Sequence, residues 1–305
     1  MRLERLANAR PGHNGGPTGA LWRGNPWYPA RSPEHFRLGR SVIASRAPRS
    51  HLAVTLGVWR ALILREAEAK LFASRVSWIW VLAEPVLHVT YLMVMYSVIR
   101  VRKVGDLDTA MWVMVGLQAY FLFRKTADGV STSADSNSAL FAYRQVKPID
   151  TLISRALLEA TMSLVTTMLL AGLAALWGHE FKPDNPLSLL GAMAGLWALG
   201  LGFGMIISAA TTLVREVRLL LSVVLRPMYL ISGVIFPIAS LARPVREILM
   251  LNPVAHGVEM ARMGLSSSYQ AVPETDPTYL FMFAGVLVFI GLALQLRFAF
   301  QIAER

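Results

Sequence analysis

The sequence has no cysteine among its 305 residues. That excludes disulfides, thiolate metal sites and a cysteine nucleophile. Charge is scarce too, at 16% Asp, Glu, Lys and Arg, against about 25% in soluble domains. No Gly-Lys pair occurs, so there is no P-loop, and HExxH, GxSxG and EF-hand patterns are absent. The histidines, His13, His35, His51, His88, His179 and His256, are scattered without metal-ligand spacing. Within the apolar runs only Glu84 is a clear acid, which leaves little for a proton relay. No catalytic constellation for a membrane enzyme can be assembled.

What remains is apolar. The chain is 54% hydrophobic, with a mean hydropathy of +0.47, and the apolar residues fall in long runs. This is the pattern of an all-α polytopic membrane protein. The net charge is +11, and 13 of the 30 Lys and Arg precede residue 78. A basic flank ahead of a first span marks a cytoplasmic N-terminus. Nucleic-acid binding has no motif to support it.

Residues 1–50 are rich in Arg, Pro, Gly and Ser, with Glu4 and Glu34 as their acids. They read as a disordered cytoplasmic tail or as the product of a mis-assigned start. Residues 51–75 form an amphipathic helix too charged to cross, with Val58, Leu62, Ala69 and Phe72 on one stripe. It lies on the cytoplasmic leaflet as an interfacial helix, packs against another chain, or does both. Spans are expected at about 76–99, 108–123, 157–177, 187–214, 219–238 and 279–296. Pro85 is expected to kink the first span or begin a new segment. The second is short enough to suit a re-entrant segment as well. Between the second and third spans, residues 126–150 read as a polar, Ser-rich and then amphipathic loop. Gly191/Gly195 and Gly200/Gly204 are small-xxx-small pairs that let helices approach.

Six spans with the N-terminus inside put 23 Lys and Arg inside and seven outside: Arg100, Arg102, Lys103, Lys182, Arg243, Arg246 and Arg262. That count favours six. Residues 213–262 carry the least ordinary punctuation. A charged turn, Arg215-Glu216-Val217-Arg218, precedes an apolar run broken by Arg226-Pro227 and Pro237, and two amphipathic pieces begin near Pro244 and Pro253. Broken backbone at membrane depth belongs where it lines a cavity or is buried in protein.

Four segments, LILREAEAKLFASRVSWIWVLAEP (62–85), FAYRQVKPIDTLISRALLE (141–159), RPMYLISGVIFPI (226–238) and LNPVAHGVEMAR (251–262), resemble the ABC-2 type permeases of polysaccharide exporters, above all the capsular polysaccharide exporters. The likeness covers about residues 52–305. Ala73-Ser74 departs from it, where the family pattern has a glycine. The resemblance implies a bacterial inner-membrane homodimer with both termini cytoplasmic and short re-entrant helices on the outer face between the fifth and sixth spans. It implies two copies of a separate cytoplasmic ATPase, which bind the ATP and Mg, so that this chain binds no cofactor and is not itself an enzyme. The substrate implied is capsular polysaccharide or a similar lipid-linked glycan, with O-antigen, teichoic acid or a small drug as variants. A periplasmic or outer-membrane export partner is a further implication. Ion-coupled secondary transport and membrane glycan synthesis stand as alternatives of other classes.

The resemblance assigns ATPase coupling to Phe141, Tyr143, Arg144 and Lys147, and to Arg215, Glu216 and Arg218. Pore or substrate candidates are Trp80, Glu84, Tyr91, Arg226, Tyr229 and Phe236, because sugars present hydroxyls and an apolar ring face that suit aromatic and polar groups. Each aromatic also fits an interface anchor or packing. Glu84 fits a headgroup-level ion pair, and Arg226 fits snorkelling or pairing with Glu84. Outer-gate candidates are Pro237, Asn252, His256 and Glu259. The last two would bridge subunits, line an exit or stand in solvent.

Overall fold

The structure is a computed structural model, and it describes residues 51–72, 74–98, 103–104, 107–143, 145–179 and 181–303. The tail expected over 1–50 lies outside these residues. The described chain is helical. α1 (His51–Leu71) and α2 (Ser77–Val98) are followed by a small antiparallel pair, β1 (Lys103–Val104) with β2 (Leu107–Asp108), in the register Lys103 to Asp108. Then come α3 (Thr109–Ser136), α4 (Pro148–Leu176), α5 (Pro186–Leu213), α6 (Val217–Ile231), α7 (Arg243–Leu249), α8 (Pro253–Leu265), α9 (Pro277–Arg297) and α10 (Ala299–Ala303).

Helix starts share one device. Proline is the first helical residue of α4, α5, α8 and α9, where its missing N–H costs nothing and its fixed φ suits the turn. The residue before it caps three of them: Asn185 accepts from the Ser188 N–H, Asn252 from Val254 and Asp276 from Thr278. At α4 the Asp150 carboxylate accepts instead from the Lys147 N–H at 3.0 Å. Prolines that look like breaks in the sequence therefore open new helices. Pro85 and Pro227 sit inside α2 and α6 without ending either.

α3 is the centre of the bundle. Its residues from Thr109 to Phe123 are all buried, and Trp112, Met114, Leu117 and Tyr120 are fully enclosed. α5 packs on it through Gly200 and Gly204. A Cβ on Gly200 would stand 2.6 Å from the Phe123 carbonyl oxygen, and one on Gly204 would stand 2.7 Å from Val130. The other pair expected from the sequence does not act as a unit, since Gly195 meets Leu280 of α9 while Gly191 meets nothing within 4 Å.

Four helices among the described residues are long and apolar enough to cross a membrane: Ser77–Tyr96 within α2, α4, α5 and α9. α3 has 28 residues, about 42 Å at 1.5 Å per residue, but carries Arg124, Lys125, Asp128 and Asp135. The second span expected at 108–123 is thus the first half of a helix that runs on to Ser136. The polar loop expected from 126 starts at 137 instead. Hydroxyls explain this: Ser131, Thr132 and Ser136 donate back to helix carbonyls, and Ser133 donates to the Thr151 carbonyl of α4 at 2.9 Å, so these four hydroxyls are satisfied within the helix pair.

The run expected at 219–238 is not one helix. α6 has 15 residues and stops at Ile231. Gly233 follows with φ +65°, a conformation that favours glycine, and its Cβ position is filled by Ile238.

α1 also differs from its expected stripe. Leu62 and Glu66 are its buried residues, whereas Ala69 and Phe72 are exposed. Its inward face is largely polar and is clamped to α3 and α4. Trp59 donates to Asp150 at 2.9 Å, Lys70 reaches Glu159 at 2.6 Å, and Arg155 reaches Glu66 at 2.6 Å. Arg155 also pairs with Glu159, four residues on, at 3.0 Å inside this network, and Arg65 bonds Asn137 beyond the end of α3.

Candidate functional site

Two segments far apart in sequence meet at the end of the bundle where α3 and α5 stop. After α3 a 3-10 turn, Ser138–Ala142, leads toward α4. Phe141 on it is half-buried, while Tyr143 just beyond is 66% exposed, and Lys147 is exposed at the start of α4. Arg144 lies outside the described residues. The turn between α5 and α6 places Arg215, Glu216 and Arg218 at the surface. Arg218 pairs with Asp135 of α3. Together Asp135, Ser138, Thr211, Arg215 and Arg218 surround a cavity of about 250 Å³. The result is a polar, solvent-facing patch made from both predicted coupling segments, with cations and aromatic surface on offer.

The pore candidates divide. Trp80 and Tyr91 project from α2 at 65% and 66% exposure, and Arg226 is exposed on α6. No ion pair joins Arg226 to Glu84 among the described residues. Tyr229 is half-buried in an aromatic layer that joins α2, α3 and α6. Its hydroxyl lies 3.3 Å from the His88 Nε2, and its ring centroid lies 5.4 Å from that of Tyr120. The Tyr120 hydroxyl donates to the Leu225 carbonyl. Phe236 belongs elsewhere, packed against the cluster of Ile238, Met250, Ala255 and Val272. Glu84 faces a cleft between α2, α3 and α4 of about 410 Å³.

The outer-gate candidates turn inward, which corrects the expectation for two of them. His256 is 4% exposed. Its Nδ1 accepts from the Asp276 N–H at 2.9 Å, so its Nε2 carries the proton and donates to the Met250 carbonyl at 2.7 Å. Glu259 is fully buried. It accepts from Arg262 at 2.9 Å, from the Tyr269 hydroxyl at 3.0 Å and from the Val272 N–H at 3.4 Å. Both side chains are held by partners within the chain and are closed to solvent. Asn252 caps α8 and donates to Ser232 at 2.8 Å, and Pro237 precedes the short 3-10 turn Ile238–Ser240.

Sequence reasoning missed Arg262, counted above as an outer surface charge. It is fully buried. Its guanidinium lies 3.6 Å from the Trp112 ring and donates to the Val234 carbonyl at 3.2 Å. One side chain thus ties α8 to α3 and to the turn after α6. The signal available was the i,i+3 spacing of Glu259 and Arg262 on an otherwise apolar helix. Nearby, outside the helices, Asp184 accepts from the Ser267 N–H and hydroxyl, both at 2.8 Å. These bonds hold its carboxyl below its ordinary value.

Comparison with known proteins fits this geometry to a family. The ABC-2 type transporter family matches residues 58–265. The polysialic acid transport protein KpsM of Escherichia coli is 32% identical over 246 residues, covering 81% of this chain and 95% of KpsM. The capsule polysaccharide export inner-membrane protein CtrC of Neisseria meningitidis serogroup B is 23% identical over 248 residues, 81% of this chain and 93% of CtrC. The corresponding protein BexB of Haemophilus influenzae is 27% identical over 219 residues, 71% of this chain and 82% of BexB.

Proposed function

This chain belongs to the ABC-2 type transporter family, and from that premise we propose that it is the membrane permease subunit of an ATP-driven exporter of capsule-type polysaccharide. The observation that carries this reading is likeness, over 71–81% of the chain, to a polysialic acid transport protein and two capsule polysaccharide export inner-membrane proteins. ATP and Mg belong on a separate ATPase, as two copies beneath a homodimer of this chain, in the bacterial inner membrane.

In this reading α2, α3, α4, α5, α6 with the turn after it, and α9 make six crossings, and both termini are cytoplasmic. α7 and α8 dip back from the outer face. The patch around Tyr143, Lys147, Arg215 and Arg218 seats against the ATPase. Its clamp to α1 through Asp150, Glu66 and Arg155 supports movement of these parts as one body when the ATPases close. The exposed Trp80, Tyr91 and Arg226 on α2 and α6 face the glycan path, where aromatic faces let sugar rings slide and a cation meets acidic sugars or a lipid phosphate. A periplasmic or outer-membrane partner would receive the product.

Co-expression with the ATPase from an adjacent gene tests this. The two chains should co-purify, and Tyr143→Ala with Lys147→Glu should lower hydrolysis coupled to export while the membrane insertion of the chain is unchanged. Export of the polysaccharide by this chain without any ATPase would overturn the reading.

A further inference from the structure

The cleft of about 410 Å³ between α2 and α4, floored by α3, holds a charge pattern that the export reading does not use. Lys70 and Arg155 at its rim are already paired with Glu159. Four charged groups on its wall, Arg124, Lys125, Glu84 and Asp128, form no ion pair or side-chain hydrogen bond with other described residues. Gln118 deepens the case. It is 2% exposed, lines the cleft, and its amide nitrogen has no partner, a buried donor that a bound acceptor would satisfy. An inorganic anion would leave two carboxylates unmatched, and a metal ion would leave two cations unmatched. A ligand with one anionic and one cationic end matches both sets.

The surroundings point to a lipid. On the two helices that wall the cleft, Leu87 of α2 and Leu164 and Met168 of α4 are exposed by 59%, 54% and 63%, apolar surface for acyl chains. The rings that line the cleft, His88 and Phe121, pack edge to face on each other, and Phe121 is 9% exposed, which leaves little open ring face for a sugar. We infer that this cleft holds the headgroup of a zwitterionic amino-phospholipid, a phosphodiester carrying a primary ammonium. The phosphate takes Arg124, Lys125 and the Gln118 amide, and Glu84 and Asp128 take the ammonium. This inference stands apart from the export reading, because it concerns a bilayer lipid and not the cargo.

Native mass spectrometry of the purified full chain tests it, with phosphatidylethanolamine, phosphatidylglycerol and phosphatidylcholine of equal acyl chains at equal concentration. Wild type should retain phosphatidylethanolamine about tenfold over the other two, a difference of about 1.4 kcal/mol. Phosphatidylcholine has no ammonium proton to donate, and phosphatidylglycerol has no cation. Glu84→Gln with Asp128→Asn should move the preference toward phosphatidylglycerol. Gln118→Met, which keeps the cleft's charge and buried volume, should weaken all three lipids together. Equal retention of the three lipids by wild type, or a preference unchanged by the double amide variant, would overturn the proposal. So would displacement of the lipid by an equal concentration of free phosphoethanolamine, since the acyl chains would then contribute nothing.

Discussion

Replacing Arg262 with Met isolates the energetics of a fully buried ion pair. The guanidinium contacts Glu259, the Trp112 ring and the Val234 carbonyl, and both charged side chains are inaccessible to solvent. Removing one partner of such a pair leaves an uncompensated buried charge, at about 3–5 kcal/mol. Glu259 would keep only the Tyr269 hydroxyl and the Val272 N–H. For a chain of this size about 2–4 °C accompanies each kcal/mol, so Arg262→Met should lower Tm by roughly 6–20 °C. Glu259→Met alone should cost a similar amount. The double variant leaves no orphan charge and should lie within about 2 kcal/mol of wild type, because buried pairs replaced by apolar residues are often near neutral. The cycle should therefore show a coupling energy of at least about 4 kcal/mol. Thermal unfolding of the detergent-solubilised chain, read by near-ultraviolet circular dichroism, supplies all four values. Additive single effects, or an Arg262→Met chain that melts with wild type, would refute the reasoning. Gly116→Ala gives a milder version, because its Cβ would stand 2.4 Å from an Arg262 nitrogen and the guanidinium would have to shift.

Three other outcomes follow from the geometry. Gly202→Val puts a Cβ 2.5 Å from the Val288 backbone nitrogen, which cannot yield, so α5 and α9 must separate at about 1–3 kcal/mol or more. Gly191→Val meets open space and should change Tm little, which makes the two a matched test. Reversing Arg218 to Asp should cost less than about 1 kcal/mol of stability, since its pair with Asp135 is exposed. Coupled ATP hydrolysis should fall all the same, and Asp135→Arg in the same chain should restore part of it. Asp184 has a depressed carboxyl pKa, so its contribution is present above the ordinary value of 3.8 and is lost as pH falls through the lower folded value. Asp184→Asn should flatten the Tm profile in that acid window, by lowering the Tm at pH 7 toward its acid value. A profile that keeps its acid slope would contradict the assignment.

The helices were legible where hydrophobicity alone decides. The runs at 76–99, 187–214 and 279–296 correspond to α2, α5 and α9 within a few residues. The second half of α3 was not, because its serines and threonines look like a loop until their hydroxyls are paired back into helix carbonyls. α8 was placed as a short amphipathic piece, but its charged residues were read as surface groups. Glu259 and Arg262 are inside because each neutralises the other, and a residue-by-residue hydropathy argument cannot see a pair. The burial of His256 was not legible for a related reason, since two backbone groups, of Met250 and Asp276, complete its bonding. The patch formed by 138–147 and 215–218 was named from likeness to a family, and the sequence held no sign that Asp135 and Arg218 would join its halves.

The most direct test of the central claim is reconstitution of this chain with its partner ATPase in liposomes loaded on the outside with ATP, Mg and an acidic capsule-type polysaccharide on its lipid. Inward accumulation of the glycan should require ATP, require the ATPase, and persist when an uncoupler abolishes any ion gradient. Transport that continues without ATP and stops with the uncoupler would contradict the account.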